Sequence, residues 1–287
     1  MSITASIVKE LREKTGVGMM DCKKALVETK GDIDAAITLL RTKGQMKAAK
    51  KANRSAAEGV IAITENSNTA VLIEINCETD FVARDENFQN FTKNATDTAL
   101  QNNITDIDVL KKTLEESRLQ LVSKIGENIN IRKMQTITAD NNTTIATYSH
   151  GGRIGSAVKL SGSGATTDLA RDIAMHVAAT NPTVLSPDEI PADIIENEKN
   201  VFMQQALDSG KPKEIVEKMV VGKLRKFKAE NSLLGQNFVK DPSITIEKLL
   251  KQNNATALQF VRFEVGEGIE KATTDFAKEV LAQARGA

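Results

Sequence analysis

The sequence predicts an α+β chain in which a small helical module precedes a two-part core, and three observations carry that prediction. Residues 1–43 keep a helical hydrophobic period, and from Gly59 the period becomes that of strands. A hairpin followed by a helix then occurs twice, at 60–100 and at 145–180. The core is therefore expected as two related α+β halves with weak mutual identity.

The first helix is read from Ile3, Ile7 and Leu11 at four-residue spacing, with Gly16 ending it. A second carries Met20, Lys24 and Val27, with Ala25 and Leu26 among them, and stops at Gly31. Asp32 can cap the third, whose inward face would be Ile33, Ala36, Ile37 and Leu40. So small a bundle is marginal alone and suits docking better than catalysis. KGQMKAAKKANRSAAEG at 43–59 reads as a charged, solvated helical linker; no aromatic is interleaved for base stacking.

GVIAIT and TAVLIEINC are β-branched runs joined by the turn residues ENSN. Helices are expected from about Glu86 to Leu100 and from about Asp106 to Ile125. INIRKMQTIT returns to strand, TIATYSH and RIGSAVKLSG form a second strand pair, and DLARDIAMHVAAT is again helical. Between 188 and 230 two helices flank Ser209-Gly210-Lys211-Pro212. One stripe is Ile195, Phe202 and Ala206; the other is Val216, Val220, Leu224 and Phe227, which predicts an antiparallel helical hairpin inserted in the second half. QFVRFEV is a strand, and a C-terminal helix is expected from about Thr274. The corresponding domains are 1–54, 55–140, 141–265 with the insertion, and a C-terminal helical module at 266–287.

The chain has 38 basic and 38 acidic side chains, so it lacks the positive excess from which a general nucleic-acid binder draws affinity. The two cysteines are far apart, which argues for a reducing compartment and against a disulfide framework. The N-terminus has no continuous apolar stretch of signal-peptide type, and no run of about 18 apolar residues suggests a membrane span. The cytoplasm is the expected location. His150 and His176 are the only histidines, and neither clusters with a cysteine in a metal-ligand spacing. No GxSxG or GxxxxGK[ST] motif occurs, so neither a catalytic residue nor a cofactor or metal ligand is assigned.

One segment stands apart. EINCETDFVARDENF runs from an apolar strand into a helix through the polar bend Glu78-Thr79-Asp80. Thr79 or Asp80 could cap the helix while Phe81 packs back as a hydrophobic staple. Alternatively Phe81, beside Asp80, is an apolar wedge presented to a partner. Both readings are open to local physics.

LREKTGVGMMDCKKAL (11–26) and EINCETDFVAR (74–84) resemble the diagnostic motifs of the elongation factor Ts family. KIGENINIR (124–132), SGKPKEIVEKMV (209–220) and RFEVGEGIEK (262–271) resemble it as well, so the likeness covers essentially the whole chain. It implies a ubiquitin-associated-like three-helix domain, a two-part α+β core with the inserted hairpin, and a short C-terminal module. It also implies guanine-nucleotide exchange on elongation factor Tu, bound in its GDP and nucleotide-free states, with no covalent chemistry, direct nucleic-acid contact or membrane. By the same resemblance Thr79, Asp80, Phe81 and Val82 intrude near the partner's Mg²⁺ site. Ile125 and Gly126 press near its phosphate-binding loop, and His150 reaches a different domain. The segment Val17, Gly18, Met19 and Met20 docks the three-helix module on the GTPase domain. His176 is left open between core and interface, and a homodimer or a heterotetramer is likewise left open.

Overall fold

The computed structural model describes residues 3–207 and 212–269. The described chain divides into two compact units, residues 3–62, 73–134 and 264–269 in one and residues 63–72, 135–207 and 212–263 in the other. Mixed helix and sheet make it an α+β protein. The turn expected at Ser209–Lys211 and the C-terminal helix expected from Thr274 lie outside the described residues.

The first unit opens with α1 (Ala5–Thr15), α2 (Met19–Glu28) and α3 (Ile33–Lys51). Thr4 caps α1 by accepting from the Ile7 N–H, and Asp32 caps α3 by accepting from the Ala35 N–H at 2.9 Å. Gly16 closes α1 at φ +66°, a left-handed conformation that costs glycine least. Val8, Leu11, Val17, Cys22, Ala25, Leu26, Ala36 and Leu40 form the module's core, with Ile33 and Ile37 packed against it. The inward face of α2 is therefore Cys22, Ala25 and Leu26. Met20 and Val27, grouped with that helix's periodic positions in the sequence, are 64% and 60% exposed. Cys22 takes the inward place because its thiol packs as a small apolar group and donates to the Val17 carbonyl at 3.5 Å. Of the lysine-rich stretch 43–59, expected as a helical linker, residues 43–51 continue α3; 52–57 are turn and coil, and Glu58 already opens a strand.

β1 (Glu58–Glu65), β2 (Thr69–Cys77) and β3 (Asn130–Thr138) form a sheet in that order. The central strand β2 is buried from Ala70 to Cys77, Glu74 and Asn76 included. A carboxylate with no exposure needs every lone pair answered. Glu74 accepts from Arg132 Nη1 on both oxygens, at 3.0 and 2.9 Å, from Asn76 Nδ2 at 3.0 Å and from the Gly266 N–H at 2.9 Å. Gly266 sits at φ +74°, and a Cβ there would stand 2.3 Å from the Ala57 carbonyl oxygen, so only glycine brings this N–H to Glu74. The unit is completed by α4 (Asp80–Ala83), α5 (Glu86–Gln101) and α6 (Ile107–Ile125).

In the second unit, β4 (Thr143–His150) and β5 (Ile154–Ser161) pair antiparallel from Thr143 opposite Ser161 to His150 opposite Ile154. β8 (Thr256–Glu264) joins β5, giving the order β4-β5-β8. α7 (Thr167–Thr180) lies on this sheet through Ala170, Ile173, Ala174 and Val177, and Ser156 donates to the Ala174 carbonyl at 2.6 Å. α8 (Ala192–Leu207) and α9 (Lys213–Asn231) follow a short 3-10 turn at Pro187–Glu189 and pack on each other. Ala206, Val216 and Val220 are their buried centre, with Phe202 edge-on to Phe227 at 6.3 Å. The predicted stripes thus face one another through Phe202 and Ala206 on one side and Val216, Val220, Leu224 and Phe227 on the other; Ile195, predicted with the first, is not in this cluster. The strands β6 (Asn237–Phe238) and β7 (Asp241–Thr245) and the helix α10 (Ile246–Gln252) were not read from sequence. They are too short for a periodic pattern, although Thr245 announces α10 by capping it at the Lys248 N–H.

His176 is fully buried on α7, which places it in the core. Its Nε2 meets Gln236 Oε1 at 3.0 Å while Nδ1 accepts from the Val239 N–H at 3.2 Å, an arrangement that fits a neutral ring protonated at Nε2. Burial lowers its pKa below the ordinary 6.5, partly offset by Gln236. The unfolded chain therefore takes up this proton at higher pH than the folded one. The stability supplied by the neutral ring is complete above about pH 6.5 and is lost as pH falls from there toward the lower folded value. In urea titrations from pH 7.5 to 5, the parent should lose up to about 1.4 kcal/mol per pH unit more than His176→Asn over that window. Parallel curves would contradict the assignment. For Glu74→Ala, the unanswered Arg132 and Gly266 groups should cost about 3 kcal/mol in the same assay. A loss under about 1 kcal/mol would show that water replaces the carboxylate.

Candidate functional site

β2 leaves its sheet after Cys77 and enters a single helical turn. Thr79 is extended at φ −125° and caps α4, its Oγ1 accepting from the Val82 N–H at 3.4 Å. Asp85 is the next cap, accepting from the Asn87 and Phe88 N–H groups at 2.8 and 3.3 Å; the Asn87 side-chain amide, which donates to it at 3.0 Å, and then these backbone bonds hold its carboxyl below the usual range. Two caps six residues apart leave room for one turn and then a break. Within that turn only Ala83 is buried. Phe81 is 81% exposed, so the staple reading of its side chain is wrong; the core takes Phe88 instead. The reason is geometric, because a four-residue turn anchored through Ala83 directs Phe81 outward. Asp80 pairs with Arg84 at 3.1 Å on the open surface, a contact worth little by itself.

The turn is held from a distant part of the chain. Gly126 ends α6 at φ +90°, and Glu127 follows it. One carboxylate oxygen of Glu127 accepts from the Glu78 and Thr79 N–H groups, each at 3.0 Å, and the other accepts from Thr79 Oγ1 at 2.7 Å. Glu78 answers in kind: its Oε1 accepts from the Asn128 N–H at 2.7 Å, and its Oε2 pairs with Arg54 at 3.4 Å. Asn128 Nδ2 donates to the Ala52 and Arg54 carbonyls at 3.3 and 2.9 Å, and Lys51 donates to the Gly126 carbonyl. The end of α3, the end of α6 and the exit of β2 thus share one polar node. Beneath it Cys77 donates to the Thr79 carbonyl at 3.2 Å. Burial, then the Glu127 and Glu58 carboxylates, push its thiol up to about 12, so it stays protonated and is no nucleophile.

This node brings Thr79, Asp80, Phe81 and Val82 together with Ile125 and Gly126, which precede Glu127 directly. Ile125 is half-buried. In the three-helix module, Val17 is committed to the core, Gly18 is the N-cap of α2, and Met19 and Met20 are 41% and 64% exposed. Val27 and Met46 are exposed there too, and neither is among the residues that the resemblance assigns to docking. The seven-residue spacing of Met20 and Val27 was a visible signal of a shared outward face. His150 belongs to the other unit, at the exposed end of β4. Its ring stacks on Tyr148 at 6.4 Å, and Gly151 and Gly152 at positive φ make the turn beyond it.

Among the described residues no group of three or more His, Cys, Asp or Glu side chains is placed to hold a metal ion. No described helix is long and apolar enough to cross a membrane. Around the lysine-rich end of α3, Lys43 pairs with Glu28, Lys47 with Asp21 and Arg54 with Glu78. The surface therefore offers exposed apolar side chains on a fixed polar frame.

Residues 78–267 match the family described as Elongation factor TS. The chain is 54% identical to the elongation factor Ts of Idiomarina loihiensis over 289 aligned positions, covering 99% of this chain and 98% of the relative. It is 53% identical to the elongation factor Ts proteins of Yersinia pestis and Yersinia pseudotuberculosis, covering 99% of each chain. With the family match extending from the polar bend at Glu78 to the Gly266 turn, and these likenesses running nearly end to end, the chain belongs to the elongation factor Ts family.

Proposed function

We propose that the protein is the guanine-nucleotide exchange factor of elongation factor Tu, acting in translation in the cytoplasm. It binds the GDP form, promotes GDP release and stays on the nucleotide-free partner until GTP displaces it. No covalent bond is made or broken, so it is not an enzyme in the catalytic sense. Neither nucleic acid nor membrane takes part directly, and the three-helix module, residues 1–54 with its linker, docks on the GTPase domain. Family membership supports the activity; the observation that carries the mechanism is Phe81, a large aromatic held out in solvent by a capped turn.

A GTPase holds GDP through phosphate contacts and a Mg²⁺ ion that demands near-ideal octahedral geometry. Inserting Phe81 beside that site, with Asp80 reorganising neighbouring polar contacts, weakens metal and nucleotide together. Ile125 and Gly126 act on the phosphate-binding loop from the same polar node. Met19 and Met20, next to Val17 and Gly18, supply apolar contact from the module, and His150 engages a second partner domain. A thousandfold acceleration requires about 4 kcal/mol. Burying one exposed Phe supplies roughly 1.5–3 kcal/mol, and the methionines supply the remainder. Because the coupling is reciprocal, GDP must loosen the factor's grip by the same factor that the factor loosens GDP.

Release of fluorescent GDP from elongation factor Tu tests this directly. Micromolar protein should accelerate release, and a rate equal to the spontaneous one would remove the proposal. Phe81→Ala should slow stimulated release at least about tenfold while circular dichroism stays unchanged, tenfold being about 1.4 kcal/mol of barrier. In excess chelator, which strips Mg²⁺ beforehand, the gap between parent and variant should narrow. A gap as wide without Mg²⁺ as with it would place the action of Phe81 away from the metal.

A further inference from the structure

We infer that Glu127 is a positioning residue for nucleotide release: it holds the Thr79–Val82 turn in the form that presents Phe81. This rests on the exchange function proposed above and adds to it a residue whose side chain need not touch the partner.

A helix of one turn cannot hold itself, because nucleation fixes several dihedral angles for a single hydrogen bond. α4 therefore depends on its cap. The Thr79 hydroxyl has one hydrogen; it donates that hydrogen to Glu127 and accepts from the Val82 N–H. Glu127 thereby orients the lone pairs that cap the turn. The same carboxylate satisfies the Glu78 and Thr79 N–H groups, the two backbone donors at the strand exit. All three of these hydrogen bonds go to one segment. Such bonds to an ionised acceptor are shorter and stronger than neutral ones.

A purely structural role fits the placement poorly. Glu127 is only partly buried and Thr79 is exposed, so neither side chain belongs to the buried core. The carboxylate orders one turn, whose largest side chain is the exposed Phe81. Glu78 and Asn128 reinforce the frame from both sides, but among the described residues only Glu127 accepts from the capping hydroxyl.

Stimulated GDP release should be measured for the full-length parent, Glu127→Ala, Glu127→Gln, Phe81→Ala and the double variant Glu127→Ala/Phe81→Ala. Glu127→Ala is expected to slow release about tenfold or more. Glu127→Gln should lie between it and the parent, since its one remaining oxygen can serve either the backbone pair or the hydroxyl. On the Phe81→Ala background, removing Glu127 should cost almost nothing further, because both act through one turn. Hydrogen exchange should quicken at the Glu78, Thr79 and Val82 amides, with the urea midpoint little changed. Fully additive losses would show that Glu127 contacts the partner independently of Phe81, and parental rates in Glu127→Ala would show that it positions nothing; either overturns the inference while leaving the exchange function standing. A parent that fails to accelerate release removes the exchange function itself, and Glu127's role in release with it.

Discussion

Two segments some fifty residues apart exchange carboxylate-to-amide hydrogen bonds, and the presentation of Phe81 depends on that exchange. Glu127 answers the amides of Glu78 and Thr79, and Glu78 answers the amide of Asn128. Each bond satisfies a backbone donor that the end of a strand or helix would otherwise leave open. The strand exit and the loop after α6 therefore hold one another in place. An aromatic held outward by such a frame loses little further freedom when a partner covers it, so more of its burial energy remains for binding.

The frame in turn stands on a buried charge. Three residues before the exit, Glu74 takes Arg132, Asn76 and the Gly266 amide in the first unit's interior. An ion pair of this kind adds modest net stability, but it penalises any register that would leave one member unanswered. A one-residue slip of β2 would turn Glu74 to the opposite face and move the exit with it. The second unit uses a neutral counterpart, His176 between Gln236 and the Val239 amide, to tie α7 to the short β6–β7 segment. Both nodes are expensive to leave incomplete, which makes each unit's packing specific.

Much of this was legible from spacing. Asp32 caps as its position suggests, and of Thr79 and Asp80, between which the sequence leaves the cap open, Thr79 takes it. Phe202 and Ala206 meet Val216, Val220 and Leu224 because four-residue intervals place side chains on one helix face. The face of α2 was harder, since Cys22 competes with Met20 and Val27 for the interior and spacing alone does not rank a thiol against a thioether. β6, β7 and α10 escaped because two, five and seven residues are too few to display a period.

Local pattern and chain composition by themselves determined the α+β class, the three-helix module, the helical hairpin and, through its motifs, the family. These follow from backbone sterics and side-chain periodicity, which act over a few residues. The direction of Phe81, the partners of Glu74 and the placement of His176 were decided only by tertiary structure. Each depends on a group many positions away: Glu127 for the turn, Arg132 and Gly266 for the carboxylate, Gln236 for the imidazole. Long-range hydrogen bonds leave no local period behind them, so the same TDFV segment that sequence physics allowed to fold inward is turned out to solvent by residues it does not adjoin.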